Sequence, residues 1–290
     1  MMKTVADFLR WYPETKKGFA FRQDGRSGLF FIPDFEATGL VTHAFTSRLG
    51  GVSTGSYREL NMSWSRYDDL DGIYENYRIV CRDLGISEEN LVCVHGNHGV
   101  VVKRVGEQNR GDGFLKPYSA EAEYFDGMWT DTPNVCMSTV HADCTPVYFL
   151  DPVQKIVCLC HSGWRGTVDG IIKNATGILM EQGCDPANIL AAIGPCIKQC
   201  CFEVHADVKE RVEAAYPGLP CIQPAEQKGK FHVDILMCAA YDLYLAGIRA
   251  DHVTIADLCT CCSEDILHSF RRDNQLGGAM SAFLQLNREG

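Results

Sequence analysis

No apolar run in this sequence reaches the ~18 residues that a membrane-spanning helix needs, so no transmembrane segment is expected. Positive charge is short as well: 27 Lys and Arg stand against 37 Asp and Glu, a formal net charge of −10. That deficit disfavours binding to a nucleic-acid phosphate backbone, which needs a basic stripe, and disfavours an anionic membrane surface as partner. An anionic substrate must then be met by a few placed arginines. The start, MMKTVADFLRWYPETKK, lacks an apolar core of signal length ahead of its charges. Internal repeats, low-complexity tracts and composition breaks are missing too, which leaves a single domain over residues 1–290 as the expectation.

What is abundant is cysteine, 15 in all and an odd number. Without an export signal such a chain is expected in the cytoplasm, where thiols stay reduced as metal ligands, nucleophiles or core residues. Most are expected to be small buried filler. With 46% hydrophobic residues the chain can bury a full core.

Strand-like and helix-like segments alternate, which predicts an α/β fold. Short apolar runs at Leu29–Pro33, Val41–Thr46, Val100–Val105, Val135–Val140, Val147–Leu150, Ile156–Cys160, Ile189–Ile193, Val253–Leu258 and Ala282–Leu286 read as strands. Ile73–Leu84 reads as a helix stopped by Gly85. A second helix is predicted from Val168 to Gln182, where Val168, Ile171, Ile172, Ala175, Ile178 and Leu179 form one apolar face. Thr167 is its expected N-cap and Gly183 its C-terminal glycine. Two more helices are expected near Ala206–Tyr216 and Val233–Ala246, and Gly106–Glu121 as a long surface loop.

The chemistry concentrates in His141–Gly170, HADCTPVYFLDPVQKIVCLCHSGWRGTVDG. Asp143-Cys144-Thr145-Pro146 precedes one strand, and His161-Ser162-Gly163-Trp164-Arg165-Gly166 follows the next. If Val147–Leu150 and Ile156–Cys160 pair antiparallel, Cys144 and His161 reach the same sheet edge. Gly163 and Gly166 allow close backbone approach, and Arg165 adds a bidentate donor. Such a group can hold an anion beside a soft metal or a thiolate.

HSGWRGT, ADCTPV, TSRLGGVSTGSYRELN (Thr46–Asn61), IGPCI (Ile193–Ile197) and HSFRRD (His268–Asp273) together resemble the YfiH-like, or laccase-domain, family in order and spacing. The resemblance spans about residues 40 to 288. It implies a layered α/β/β/α sandwich with a mixed sheet. It also implies a zinc bound by two histidines and a cysteine, used for phosphorolysis of adenosine, inosine and methylthioadenosine, with adenosine deamination alongside. Nucleoside and phosphate are then the partners. Cys144 and His161 carry over directly as catalytic metal ligands. The family's first histidine sits in a Gln-Val-His-Gly-like turn. Cys93-Val94-His95-Gly96 matches it everywhere but the first position, where Cys93 replaces glutamine. Gly96-Asn97-His98-Gly99 matches only in its last two. His95 is therefore the favoured third ligand and His98 the alternative. A further departure is Gly277-Gly278-Ala279, where many relatives show an arginine after glycine.

Such a zinc keeps one tetrahedral position open, the pattern of catalytic sites. Arg48 and Arg165 are the phosphate candidates, with Arg272 behind them. Asp126 or Asp131 can orient a ligating histidine or hold ribose hydroxyls; Asn61 ends a glycine-rich stretch expected over the site. Rival readings stay open. Cys144 with His161 as base makes a cysteine hydrolase. A non-catalytic nucleotide-binding or cell-wall-editing module is the other alternative. Cys196, Cys200, Cys201, Cys259, Cys261 and Cys262 have spacings compatible with a second, thiolate-only zinc site. A native multicopper cluster is not expected: the nine histidines include no His-x-His pair, although Cu2+ can displace zinc by affinity.

Overall fold

Alternation along two neighbouring strands sets up the layers. In Thr145–Asp151, Val147 and Phe149 pack with one cluster of buried side chains, whereas Tyr148 and Leu150 pack with another. In Ile156–Ser162 the same alternation separates Cys158 from Val157 and Leu159. Side chains on a strand point to opposite faces, so a strand apolar on both faces must be covered twice. These strands belong to a sheet with cores on both sides.

The computed structural model describes residues 3–64 and 69–288. Among these, seven strands form one mixed sheet in the order Lys16–Lys17, Val253–Ile255, Leu190–Ile193, Thr145–Asp151, Ile156–Ser162, Gly127–Thr130, Val102–Arg104. Six form a second, in the order Ala20–Arg22, Leu29–Phe31, Val41–Thr46, Met280–Leu286, Cys136–His141, Leu91–Cys93. The two sheets face one another across Tyr148, Leu150 and Leu159 on one side and Phe45, Met137 and Leu284 on the other. Helices Ile171–Glu181 and Ile235–Ala246 cover the outer face of the larger sheet through residues such as Ile172, Leu179, Ala239 and Leu243. Helix Leu70–Leu84 covers the outer face of the smaller one with Ile73, Tyr77, Val80 and Cys81. The result is the expected α/β/β/α sandwich. A three-stranded ribbon, Glu203–His205, Lys230–Val233 and Ile222–Pro224, flanks it. No helix of the described residues is long and apolar enough to cross a membrane.

The predicted helix from Val168 to Gln182 is instead two. Trp164–Asp169 ends at Gly170, whose φ of +97° is left-handed, and Ile171–Glu181 starts from it. Thr167 is therefore not an N-cap: its hydroxyl donates back to the Gly163 carbonyl from inside the first helix. Gly183 does take the left-handed conformation after the second helix, at φ +87°.

Candidate metal centre

Register places the first two donors. Ile156–Ser162 pairs antiparallel with Thr145–Asp151 so that Ser162 faces Thr145 and His161 faces Pro146. His161 thus lies beside the start of the strand that Cys144 precedes. Cys144 itself sits in the short link 142–144, where the chain leaves the smaller sheet at His141 and enters the larger one at Thr145. Asp143 makes this crossing with a left-handed φ of +85°. Its two carboxylate oxygens accept from the Thr260 hydroxyl and the Arg271 amide.

The third side chain brought to this pair is His98. Its side chain joins those of Cys144 and His161 so that one ligand atom from each lies within 4.8 Å of the others. His95 does not fit this geometry. It lies on the wall of the same cavity, but its ring stacks on Tyr124 at 4.3 Å between centroids and its carbonyl accepts from the Phe125 amide. The discriminating feature is the turn 96–99, not the Cys93–Gly96 match. His98 adopts φ +63°, a conformation that costs a non-glycine residue energy and needs support. Asp126 supplies it: the amides of Asn97, His98 and Gly99 donate to its carboxylate at 3.1, 3.0 and 2.7 Å. Gly96 is required there, because a Cβ would stand 2.7 Å from Asp126 Oδ1.

The same carboxylate meets His161 Nδ1 at 2.9 Å, which leaves Nε2 of that ring for the cavity. Asp126 is fully buried. Burial opposes its charge, but the His161 ring and the amides of Gly99 and Asn97 outweigh that penalty and hold the carboxyl below its ordinary range. Burial likewise opposes the Cys144 thiolate, yet His161 and His98 overcome it and bring the thiol down to about 6. His161 moves the other way. Burial disfavours its charge, but the Cys144 sulfur and Asp126 push it up to about 10. Each group thus favours the charged form of the other, thiolate beside imidazolium. Gly163 lets the group close up, since a Cβ there would lie 2.8 Å from His98 Cδ2 and 3.1 Å from Cys144 Sγ. His141 is next to this centre but already engaged, with Nδ1 at 3.1 Å from the Cys144 carbonyl and Nε2 at 2.7 Å from the Thr139 hydroxyl.

The three donors line a cavity of about 850 Å³, within the ordinary range of small-molecule sites. Trp64, Trp164, Phe202 and Phe270 add aromatic surface, and Arg165 and Arg271 add positive charge. Arg165 is exposed, its guanidinium over the Trp164 ring at 4.6 Å. The remaining expected residues lie elsewhere. Arg48 donates to the carbonyls of Arg58 and Glu264. Asn61 is buried, its side-chain oxygen accepting from the amides of Ser63 and Ala279. Asp131 pairs with Arg104 at the surface. Arg272 is committed to the carbonyls of Thr260, Cys261 and Leu267 and to Asp273. None of these four lines the cavity. Its neighbour Arg271 does, a residue that HSFRRD contains but that sequence reasoning passed over.

A family model described as "Multi-copper polyphenol oxidoreductase laccase" matches residues 42–287. A purine nucleoside phosphorylase, YlmD, of Geobacillus stearothermophilus is 32% identical over 249 residues, covering 84% of this chain and 89% of that protein. A purine nucleoside phosphorylase of Deinococcus radiodurans is 32% identical over 251 residues, covering 86% of this chain and 91% of the relative. The crystal structure of YlmD from G. stearothermophilus superposes with a TM-score of 0.86 at 29% identity, covering 93% of this chain and 99% of that one.

Proposed function

The chain belongs to the multi-copper polyphenol oxidoreductase laccase family, and from that premise we propose that it is a zinc-dependent purine nucleoside phosphorylase, not an oxidase. The observation that carries the reading is the convergence of His98, Cys144 and His161 in a cavity large enough for a nucleoside. Two imidazoles and one thiolate suit zinc, with Asp126 fixing the tautomer and aim of His161. When bound, zinc would supply a Lewis acid with a coordination position left over for substrate.

The chain's own residues account for the rest. Trp64, Phe202 and Phe270 offer flat apolar faces on which a purine can stack. Arg165 and Arg271 offer the guanidinium forks that phosphate needs in a protein of net negative charge. Adenosine, inosine and methylthioadenosine are the proposed nucleosides, adenosine deamination a side activity, and the cytoplasm the location. Copper in place of zinc is a substitution by affinity. A cysteine-hydrolase reading draws on the Cys144–His161–Asp126 array, which a nucleophilic thiol also uses. The presence of His98 as a third donor favours the metal.

Chromatography of adenosine incubated with the zinc-loaded chain tests this. Adenine that appears only with phosphate supports phosphorolysis; inosine formed without phosphate marks deamination. Cys144→Ala and His98→Ala should each cost at least about 100-fold in turnover, whereas His95→Ala should keep its zinc and stay within about tenfold of wild type. Unchanged turnover in Cys144→Ala, or hydrolysis by zinc-free protein that alkylation of Cys144 abolishes, overturns the proposal.

A further inference from the structure

A second set of sulfurs converges away from the three donors already described. Cys196 and Cys259 form a parallel backbone bridge, with the Cys196 amide donating to Leu258 O at 3.3 Å and the Thr260 amide to Cys196 O at 3.0 Å. This bridge sets the segments 196–201 and 258–262 side by side. Their cysteines meet: Sγ of Cys200, Cys201, Cys259 and Cys262 all lie within 4.8 Å of one another. Cys262 Sγ stands 3.7 Å from Cys200 Sγ and 3.3 Å from Cys201 Sγ. Four sulfurs each about 2.3 Å from a tetrahedral zinc are separated by about 3.8 Å. The Lys198 amide also donates to Cys259 Sγ at 3.5 Å, a contact that favours thiolate.

Core packing does not explain this group, because Cys200 and Cys262 are exposed. Nor does one disulfide, which would leave two of the four sulfurs without a purpose. We propose that Cys200, Cys201, Cys259 and Cys262 bind one zinc ion as a closed tetrathiolate, and that this ion braces one wall of the cavity. The brace reaches the wall through short links. Arg271 donates to the carbonyls of Cys201 and Glu203, and its amide donates to Asp143. Thr260 donates to the other oxygen of Asp143, the neighbour of Cys144. Ile197, Phe202 and Arg271, all on or beside these segments, face the cavity. With four protein ligands the ion has no open position, so its role is structural. The inference does not depend on the activity proposed above.

Metal analysis of the full chain, purified reduced and without chelator, tests it. Wild type should hold about two zinc equivalents, and Cys144→Ser about one. Cys200→Ser/Cys262→Ser should also hold about one, and the triple variant none. Both serines replace exposed cysteines, so loss of folding is not expected. Cobalt-loaded Cys144→Ser should show intense thiolate-to-cobalt charge transfer that vanishes in the triple variant. Amide hydrogen exchange in 197–203 and 258–263 should speed up roughly tenfold in Cys200→Ser/Cys262→Ser. A zinc-free Cys144→Ser chain, zinc content unaffected by the two serines, or a disulfide among these cysteines in place of metal overturns the proposal.

Discussion

Four polar groups share the Asp126 carboxylate: the amides of Asn97, His98 and Gly99 and the Nδ1 of His161. Its removal therefore loosens two of the three clustered side chains, His98 and His161, although Asp126 is not one of the three. In Asp126→Asn one of the two acceptor oxygens becomes an NH2 that faces N–H groups. We expect zinc affinity to fall about 10- to 100-fold and stability by about 1–3 kcal/mol. Competition with a fluorescent chelator measures the first and urea unfolding the second; wild-type zinc affinity in the variant would remove Asp126 from the positioning role. The meeting of Cys144 and His161 was legible in the sequence because strand spacing and the glycines at 163 and 166 lie in one continuous stretch. His98 was harder. Its selection over His95 depends on a left-handed turn wrapped around a carboxylate from a distant segment, and a local motif match cannot register that contact. Arg271 and Arg272 show the same limit, since which of two adjacent arginines turns inward is decided by the carbonyls of Thr260, Cys261 and Leu267.

Three helices meet at a single hydroxyl. Tyr216, just past helix Ala206–Ala215, places its Oη 2.9 Å from the Thr167 carbonyl and 2.8 Å from Asp242 Oδ2 on helix Ile235–Ala246. The tyrosine hydroxyl is placed to donate to both acceptors, the Thr167 carbonyl and the Asp242 carboxyl oxygen. Burial pushes the Asp242 carboxyl up from 3.8 to about 7, although the Tyr216 hydroxyl that donates to it opposes the rise. The folded pKa is above the unfolded one, so the native state binds the extra proton between about pH 4 and 7. Stability from this group is accordingly lost as pH climbs through that window. Asp242→Asn, always neutral, should match wild type near pH 4 and exceed it by about 1 kcal/mol at pH 8. That figure is below a full conversion of the shift because the side chain remains partly exposed. Urea midpoints at the two pH values check it, and an equal difference at both would refute the neutral carboxyl. Apolar runs made Val41–Thr46 readable in advance, and Ile156–Cys160 of the strand that continues to Ser162. The division at Gly170 was not, because the periodicity of 168–179 continues across it and only the backbone turn breaks the helix. Edge strands such as Lys16–Lys17 are exposed and leave no apolar trace.

The two sheets are joined where the donors sit. His98 lies in the link between Leu91–Cys93 of the smaller sheet and Val102–Arg104 of the larger, and Cys144 in the link between Cys136–His141 and Thr145–Asp151. His161 belongs to the larger sheet alone. An ion held by all three therefore ties both crossings to one strand and closes this end of the sandwich. Ligand bound only by the native state at about 100 times its Kd adds about 2.7 kcal/mol. For a domain of this size each kcal/mol moves Tm by roughly 2–4 °C, so chelation should lower Tm by roughly 5–10 °C. The measurement belongs in Cys200→Ser/Cys262→Ser, where the thiolate cluster at the cavity wall no longer contributes. There the chelator-induced drop should persist, and adding Cys144→Ser should abolish it. A drop that survives the loss of Cys144 would mean that the stabilising ion is bound somewhere other than between the two sheet crossings.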